Sequence, residues 1–514
     1  MLPNCYRSRL ILRILPGRYC WNRRIKEPNF DPIEIRENTF AVTRWNRDQF
    51  EIPDVINFAD YATSWKAVAD QLQAYQGTVE ELTLLLPFPY PKSNNSLRWL
   101  HIPGPEELIV LRTAAGYVGR STDQLLSSRV YSHRLDRSSR CWKFQKKAWR
   151  KFIDHGVSLL DGLRHSAMYR TDIASYYPTV EIERLRSVLQ DFGCLGRAAL
   201  LILKMFRQWQ LRDGLHGIPI GPEVSAIIGN FFLHPVDRLL EAKGYEHLRW
   251  CDDILIFGPT VASCQGSLAL LDEALSDLRL TRSAQKTRDF DNVYDARANL
   301  EDHLLTSLTD HCDLDADAGV EAVRSAYDSQ LLGNPEVEQK RFRWVVKTLM
   351  NKHDSYACLS LSRDPLLMNV DPNLSGKYLG KVALSGKCIK DKRVVDAIVD
   401  HLSQPAEERF QALNLHMLNA LRYRRYGAAE AKEFRRIATD SALRWPVRVF
   451  GWAAYVKSTK NYAELMEAAR AEPIPQLRRG IIANLRGSAT REFLAHARMN
   501  FSESRYTVQW LRAA

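Results

Sequence analysis

Three carboxylates in two apolar settings are the residues best placed to do chemistry. Asp172 lies in Met168-Tyr-Arg-Thr-Asp-Ile-Ala-Ser-Tyr-Tyr-Pro178, where a strand is expected to end and the chain to turn. Asp252 and Asp253 lie in Leu248-Arg-Trp-Cys-Asp-Asp-Ile-Leu-Ile-Phe257. Two apolar runs flank that acidic pair, which predicts a β-hairpin with both acids at its tip. Adjacent acids on an apolar hairpin are costly unless cations neutralise them, and hard divalent cations take carboxylate oxygens. A pair of such ions can activate an attacking 3′-hydroxyl and stabilise the oxygen leaving a nucleoside triphosphate. The residues therefore suit phosphoryl transfer. An isolated Asp-Asp is usually a solvated turn, so the remaining segments must decide.

Between the two segments lies Gly217-Ile-Pro-Ile-Gly-Pro-Glu-Val-Ser-Ala-Ile-Ile-Gly-Asn-Phe-Phe-Leu233. Its Gly and Pro residues predict a rigid loop. A helix should follow, with Val224, Ile227, Ile228, Phe231 and Phe232 at core spacing. Read in order, these segments resemble the reverse transcriptase family. Asp172 and its aromatics resemble motif A, and Gly217 to Leu233 motif B. Trp250-Cys-Asp-Asp253 resembles motif C, usually Tyr-x-Asp-Asp, and Leu280-Thr-Arg-Ser-Ala-Gln-Lys-Thr287 motif D. The resemblance covers residues 165–290 and extends more loosely over 95–335.

It implies metal binding by Asp172 and Asp252, with Asp253 secondary and the backbone carbonyl of Ile173 a further ligand. The ions implied are two Mg²⁺, with Mn²⁺ as a substitute. Tyr177 falls where the family places a steric gate against the ribose 2′-hydroxyl; a core tyrosine is the alternative. Lys286 matches the lysine held to protonate departing pyrophosphate, although a surface lysine is as good a reading. Ile220 and Gly221 occupy the motif B loop beneath the incoming nucleotide. Arg134 and Lys143, with Lys146 and Lys147, are candidates for triphosphate or template phosphate; each taken alone reads better as a solvated charge.

The departures from the family pattern matter. Ile220 stands where most members have Gln, Ala226 where they have Pro, and Trp250 where they have Tyr. The Pro-Ile-Gly-Pro loop, Arg129-Val-Tyr-Ser132 and a helical C-terminal region together resemble bacterial defence-associated and abortive-infection reverse transcriptases. Neither retron signatures nor an HNH-like nuclease tail is found. Three uses stay open: RNA-templated DNA synthesis, with a dedicated non-coding RNA implied by the resemblance; template-independent synthesis, primed by a 3′-hydroxyl or by a protein hydroxyl; and a polymerase fold kept as a nucleic-acid-binding or assembly module. The intact acidic triad argues against the third.

The elements that must position these residues follow from the pattern. The fold expected is an α/β right-hand polymerase: fingers, a palm with an antiparallel sheet and a short thumb. An all-α, HEAT-like helical-repeat domain should follow it. The expected boundaries are a basic arm at 1–50, fingers at 51–165, palm at 166–295, a thumb-like link at 296–335 and helical repeats at 336–514. Within the fingers, Pro87-Phe-Pro-Tyr-Pro91 reads as turn-rich, and Trp142 to Ile153 as a basic amphipathic helix. The repeat expectation rests on helix-length segments opening at Pro405, Pro446 and Pro475, where proline suits a first turn. Trp344, Trp445 and Trp452 read as repeat core or as stacking platforms. Arg478, Arg479 and Arg486 read as groove-lining or solvent-facing.

Composition bounds the partners. The 514 residues are 45% hydrophobic and 26% charged, the balance of a folded soluble chain. The net charge of +12 favours a polyanion. Yet Arg7, Arg9, Arg13, Arg18, Arg23, Arg24 and Lys26, with no acid among the first 26 residues, supply seven of those charges. That start reads as a basic arm, a misassigned start or a transit peptide, and poorly as a signal peptide. Nine cysteines without CxxC spacing argue against zinc ribbons and secreted disulfides, so a reducing cytoplasm is expected. No apolar run spans a bilayer, and no membrane is expected as a partner. Asp313-Leu-Asp-Ala-Asp-Ala-Gly319 fails as an EF-hand loop, since Ala318 and Arg324 replace the required Gly and Glu. The partners expected are deoxynucleoside triphosphates, an RNA template or DNA product, and a second copy of the chain through its C-terminal region.

Overall fold

Short, largely buried segments before Asp172 and on either side of Asp252 build antiparallel strands. A computed structural model describes residues 30–48, 51–92, 96–136, 141–142, 145–162, 164–301, 316–334, 337–384, 391–405 and 407–513. Lys143, residues 313–315 and residues 1–29 and 49–50 of the basic arm lie outside these, while residues 316–319 open helix Ala316–Gln330. Strands β1 (Pro87–Pro91) and β2 (Leu97–His101) form one hairpin, and β3 (Leu135–Asp136) and β4 (Cys141–Trp142) a second. Strands β5 (Ala167–Thr171), β6 (Glu246–Trp250), β7 (Asp253–Gly258) and β8 (Arg288–Phe290) form a four-stranded sheet in the order β6-β7-β5-β8. All its pairings are antiparallel.

The chain divides into two units interleaved in sequence. One comprises 1–30, 73–85 and 110–301; the other comprises 31–72, 86–109 and 302–514. The four-stranded sheet is the centre of the first. One of its faces, carrying Met168, Leu248, Leu255 and Phe257, is buried with Phe152, Val157, Leu160, Ala296 and Leu300. Phe152, Val157 and Leu160 belong to helix Gln145–Asp161, and Ala296 and Leu300 to helix Val293–Leu300. Helix Val261–Asp277 packs along β5 and β7. Its start is fixed by a reciprocal cap between Thr260 and Ser263.

The second unit is mainly helical. Helix Trp445–Thr459 packs against Gln411–Leu421, Ala428–Thr439 and Pro475–Ala483. Pro446 and Pro475 sit in the first turns of their helices, as expected. Pro405 instead precedes a 3₁₀ turn at Glu408–Phe410. Two segments differ from the sequence reading. Pro32–Asp48, expected to be irregular, is a helix, with Ile35, Thr39 and Val42 buried at helical spacing. The proline-rich stretch is strand β1, not a turn. In an antiparallel pair only alternate residues exchange hydrogen bonds. Prolines at 87, 89 and 91 share one parity, while the neighbouring Lys92 N–H donates to the Ser96 carbonyl at 2.8 Å. A two-residue proline spacing thus leaves the ladder intact.

Candidate active site

Asp172 follows the last residue of β5, and Asp252 and Asp253 lie at the β6–β7 tip. Thr171 pairs with Ile254, and Trp250 with Asp253, so the strand end and the hairpin tip are neighbours in the sheet. The hairpin turn consists of Cys251 and Asp252, and Cys251 takes a left-handed φ of 54°. Beyond Asp172 the chain bridges to the motif D segment. The Asp172 carbonyl accepts from Ser283 N at 2.7 Å, Ile173 pairs with Arg282, and Ala174 N donates to Thr281 at 2.8 Å. This short ladder delivers Lys286, on the 3₁₀ turn Ala284–Lys286, to Asp172: its ammonium lies 2.7 Å from Oδ2.

The electrostatics are those of crowded acids. Burial, then the nearby charges of Asp172 and Asp253, push the Asp252 carboxyl up to about 7. Burial also raises Asp253, against the opposing charge of Arg170. Arg170 shares strand parity with Met168 and faces Leu255 across the register. Asp253, two residues before Leu255, falls on that same face. Arg170 is a residue that sequence reasoning missed. Its trace is one cation inside an otherwise apolar strand.

The donor set is all carboxylate oxygen, which suits Mg²⁺ or Mn²⁺ and not a thiolate-seeking metal. Burial first, and neighbouring acids second, raise these carboxyls, a cost that a divalent ion held there would offset. Among the described residues no three His, Cys, Asp or Glu side chains already converge as a closed ligand set. The fit therefore lies in donor chemistry and charge.

Motifs A and B are locked together. A Cβ on Gly217 would overlap the Tyr177 carbonyl oxygen and the Pro178 backbone, and Gly217 has φ 66°. Ile218 N donates to that same Tyr177 carbonyl at 3.0 Å. The Tyr177 ring lies 5.2 Å from that of Tyr176 and in contact range of the helical Gly229. Burial raises its phenol well above the ordinary value, with Cys251 and Asp252 adding to the effect. Ile220 is half-buried in the loop, and Gly221 has φ 120°, a conformation open to glycine.

Other candidates fall elsewhere. Arg134 directs its guanidinium inward: Nε donates to Asp123 at 2.8 Å, Nη1 to the Ser127 and Val130 carbonyls, and Nη2 to the Asp123 carbonyl. Lys147, Arg150 and Lys151 are exposed on helix Gln145–Asp161, which begins later and runs further than expected. Trp149 of that helix meets Trp250 edge-on at 5.0 Å. In the second unit, Trp452 is buried. Arg479 does not face water: it is 6% exposed, held between Asp54 and Asp60 in the wall of a pocket that Phe58 and Trp445 also line.

No helix of the described residues is long and apolar enough to cross a membrane. No curated protein matches the chain. Residues 127–341 match the family model described as reverse transcriptase (RNA-dependent DNA polymerase). That span contains the sheet, the three carboxylates, the Gly217 loop and Lys286. A right-hand polymerase fold goes with that domain, as do nucleotide and nucleic-acid binding. The chain thus carries a reverse transcriptase domain over residues 127–341 and through it is a nucleotidyltransferase, an RNA-directed DNA polymerase.

Proposed function

We propose that the chain adds deoxynucleotides to a 3′-hydroxyl on an RNA template. Asp172 and Asp252 would be the principal metal ligands, with Asp253 and the Ile173 carbonyl completing the set. The observation that carries this reading is the charge balance at the hairpin tip. Burial together with Asp172 and Asp253 raises Asp252 to about 7, and Lys286 pairs with Asp172. Two Mg²⁺ ions, or Mn²⁺, would supply the missing charge and activate the attacking hydroxyl. Tyr177 would bar a 2′-hydroxyl by volume. Lys286, 65% exposed on its side chain, can leave Asp172 and give a proton to departing pyrophosphate.

The test is the double substitution Asp252→Asn with Asp253→Asn. Incorporation of labelled deoxynucleotide on a primed RNA should fall by at least about 1000-fold, as expected when metal-borne charge stabilisation is lost. Wild-type incorporation by the folded double variant would refute the assignment.

Ile220 favours a second reading, template-independent synthesis, because an alkyl side chain cannot make the hydrogen bonds of the usual Gln. Sequencing products made with and without added RNA separates the two. A role in antiphage defence with a non-coding RNA rests on the resemblance of the Gly217 loop and the helical C-terminal region. We also read the helix pairs of that region as a HEAT-like repeat that favours self-association.

A further inference from the structure

The Asp252 turn is held from outside the hairpin by a closed ring of hydrogen bonds. Cys251, the residue before Asp252, donates its N–H to Ser132 Oγ at 2.8 Å. Its carbonyl accepts from Arg249 Nη1 at 2.9 Å. That same Nη1 donates to Asn230 Oδ1 at 2.7 Å, and Asn230 Nδ2 donates to the Ser132 carbonyl at 2.8 Å. The ring Cys251–Ser132–Asn230–Arg249 is thereby complete. Ser132, Asn230 and Arg249 are each no more than 1% exposed.

The ring is anchored by a buried ion pair. Arg249 grips Asp237 through Nε at 2.8 Å and Nη2 at 2.6 Å, and Nη2 also reaches the Asn230 carbonyl at 3.0 Å. His247 Nε2 lies 3.4 Å from the same carboxylate. The guanidinium fork fixes direction as well as charge. Segment 129–132 is held alongside β6 by its own backbone: Arg249 N donates to the Arg129 carbonyl at 3.0 Å, and Tyr131 N to the Arg249 carbonyl at 3.1 Å.

A left-handed cysteine is strained, because its Cβ crowds the following carbonyl oxygen. The turn carries that strain beside Asp252, which Asp253 and Asp172 crowd. Both polar backbone groups of Cys251 are clamped by buried side chains. From this geometry we propose that Ser132, with Asn230 and Arg249, is a positioning residue for Asp252. It acts through the Cys251 peptide and touches neither nucleotide nor ion. The inference rests on the metal-dependent reading above and goes beyond it, because it assigns the aim of the carboxylate to a hydroxyl about 120 residues earlier in the chain.

The test uses the full-length chain carrying Ser132→Ala, with Ser132→Thr as the variant that keeps the hydroxyl. Thermal melting serves as the folding control for both. Ser132→Ala is expected to lower kcat on the order of 10- to 100-fold, the usual result of misplacing a reacting group by about 1 Å. KM for the nucleotide should stay within about 2-fold, and Mn²⁺ affinity read by paramagnetic resonance without substrate should fall about 10-fold. Ser132→Thr should recover most of both. Wild-type Mn²⁺ affinity and kcat in Ser132→Ala overturn the inference and leave the metal reading standing. So does a Thr variant that melts normally yet behaves as Ala. A wild-type protein whose Mn²⁺ binding is absent, or is untouched by Asp252→Asn, overturns the metal reading itself.

Discussion

Tyr177 and Asp252 show how burial sets the work of single residues. The half-buried Tyr177 ring packs beside Tyr176 and near Gly229, which limits where it can move. If it is the sugar gate, Tyr177→Ala should raise ribonucleotide incorporation relative to deoxyribonucleotide by at least about 10-fold, a difference of about 1.4 kcal/mol. Single-nucleotide extension assays measure the ratio, and an unchanged ratio rejects the gate. For Asp252, a folded-state value near 7 exceeds the ordinary 3.8. A raised value means that the folded protein holds the proton more tightly than the unfolded chain. The stability this contributes is complete below about pH 4 and is lost as pH rises through 7. Asp252→Asn mimics the neutral form. In the presence of a chelator it should therefore stabilise the protein at pH 8 by roughly 2–4 kcal/mol, at about 1.4 kcal/mol per unit. The gain should vanish near pH 3.5, and urea melts at the two pH values check it. Added Mg²⁺ should favour the wild type instead, because binding to the folded state stabilises it.

At the scale of elements, the Gly217 loop is held against the residues after motif A. Gly217→Ala would drive a methyl into the Tyr177–Pro178 backbone at a positive φ. A cost of about 2–3 kcal/mol is expected, with kcat falling because Tyr177 must shift. Gly214→Ala is a useful control: φ there is 70°, but nothing lies within 4 Å of the added methyl, so only the backbone penalty applies. These elements were legible in sequence because each announces itself locally. The acid pair between apolar runs marked the β6–β7 hairpin, and the Gly-Pro punctuation marked the loop. Strand β1 was not legible, since three prolines in five residues read as a turn. Their shared parity is visible only once β2 supplies the partner. Arg170, Ser132, Asn230 and Arg249 were missed for a related reason. Each is an ordinary polar residue whose meaning comes from a neighbour distant in sequence.

At the scale of the whole molecule, residues 31–72 and 86–109 cluster with 302–514, and nothing in their composition says so. Within that unit Arg479 is the pin. Its Nη1 meets Asp54 at 2.6 Å, its Nη2 meets both oxygens of Asp60, and Thr507 donates to Asp60 at 2.7 Å. Burial alone would lower the guanidinium value, but Asp54 and Asp60 hold it raised. Arg479→Met would leave two acids facing each other without a cation. It should destabilise the unit by about 3–5 kcal/mol, measured by urea denaturation of the intact chain, and a loss under about 1 kcal/mol would show that water replaces the arginine. The same pairing has a consequence for synthesis. Asp60 leaves the ribosome 419 residues before Arg479. At about 5–20 residues per second that gap lasts roughly 20–80 s. Through that interval Phe58 and Tyr61, which the finished protein buries beneath this arginine, are apolar surface without their partner. Until Arg479 and its helix are made, those two rings lack the guanidinium that covers them in the finished protein.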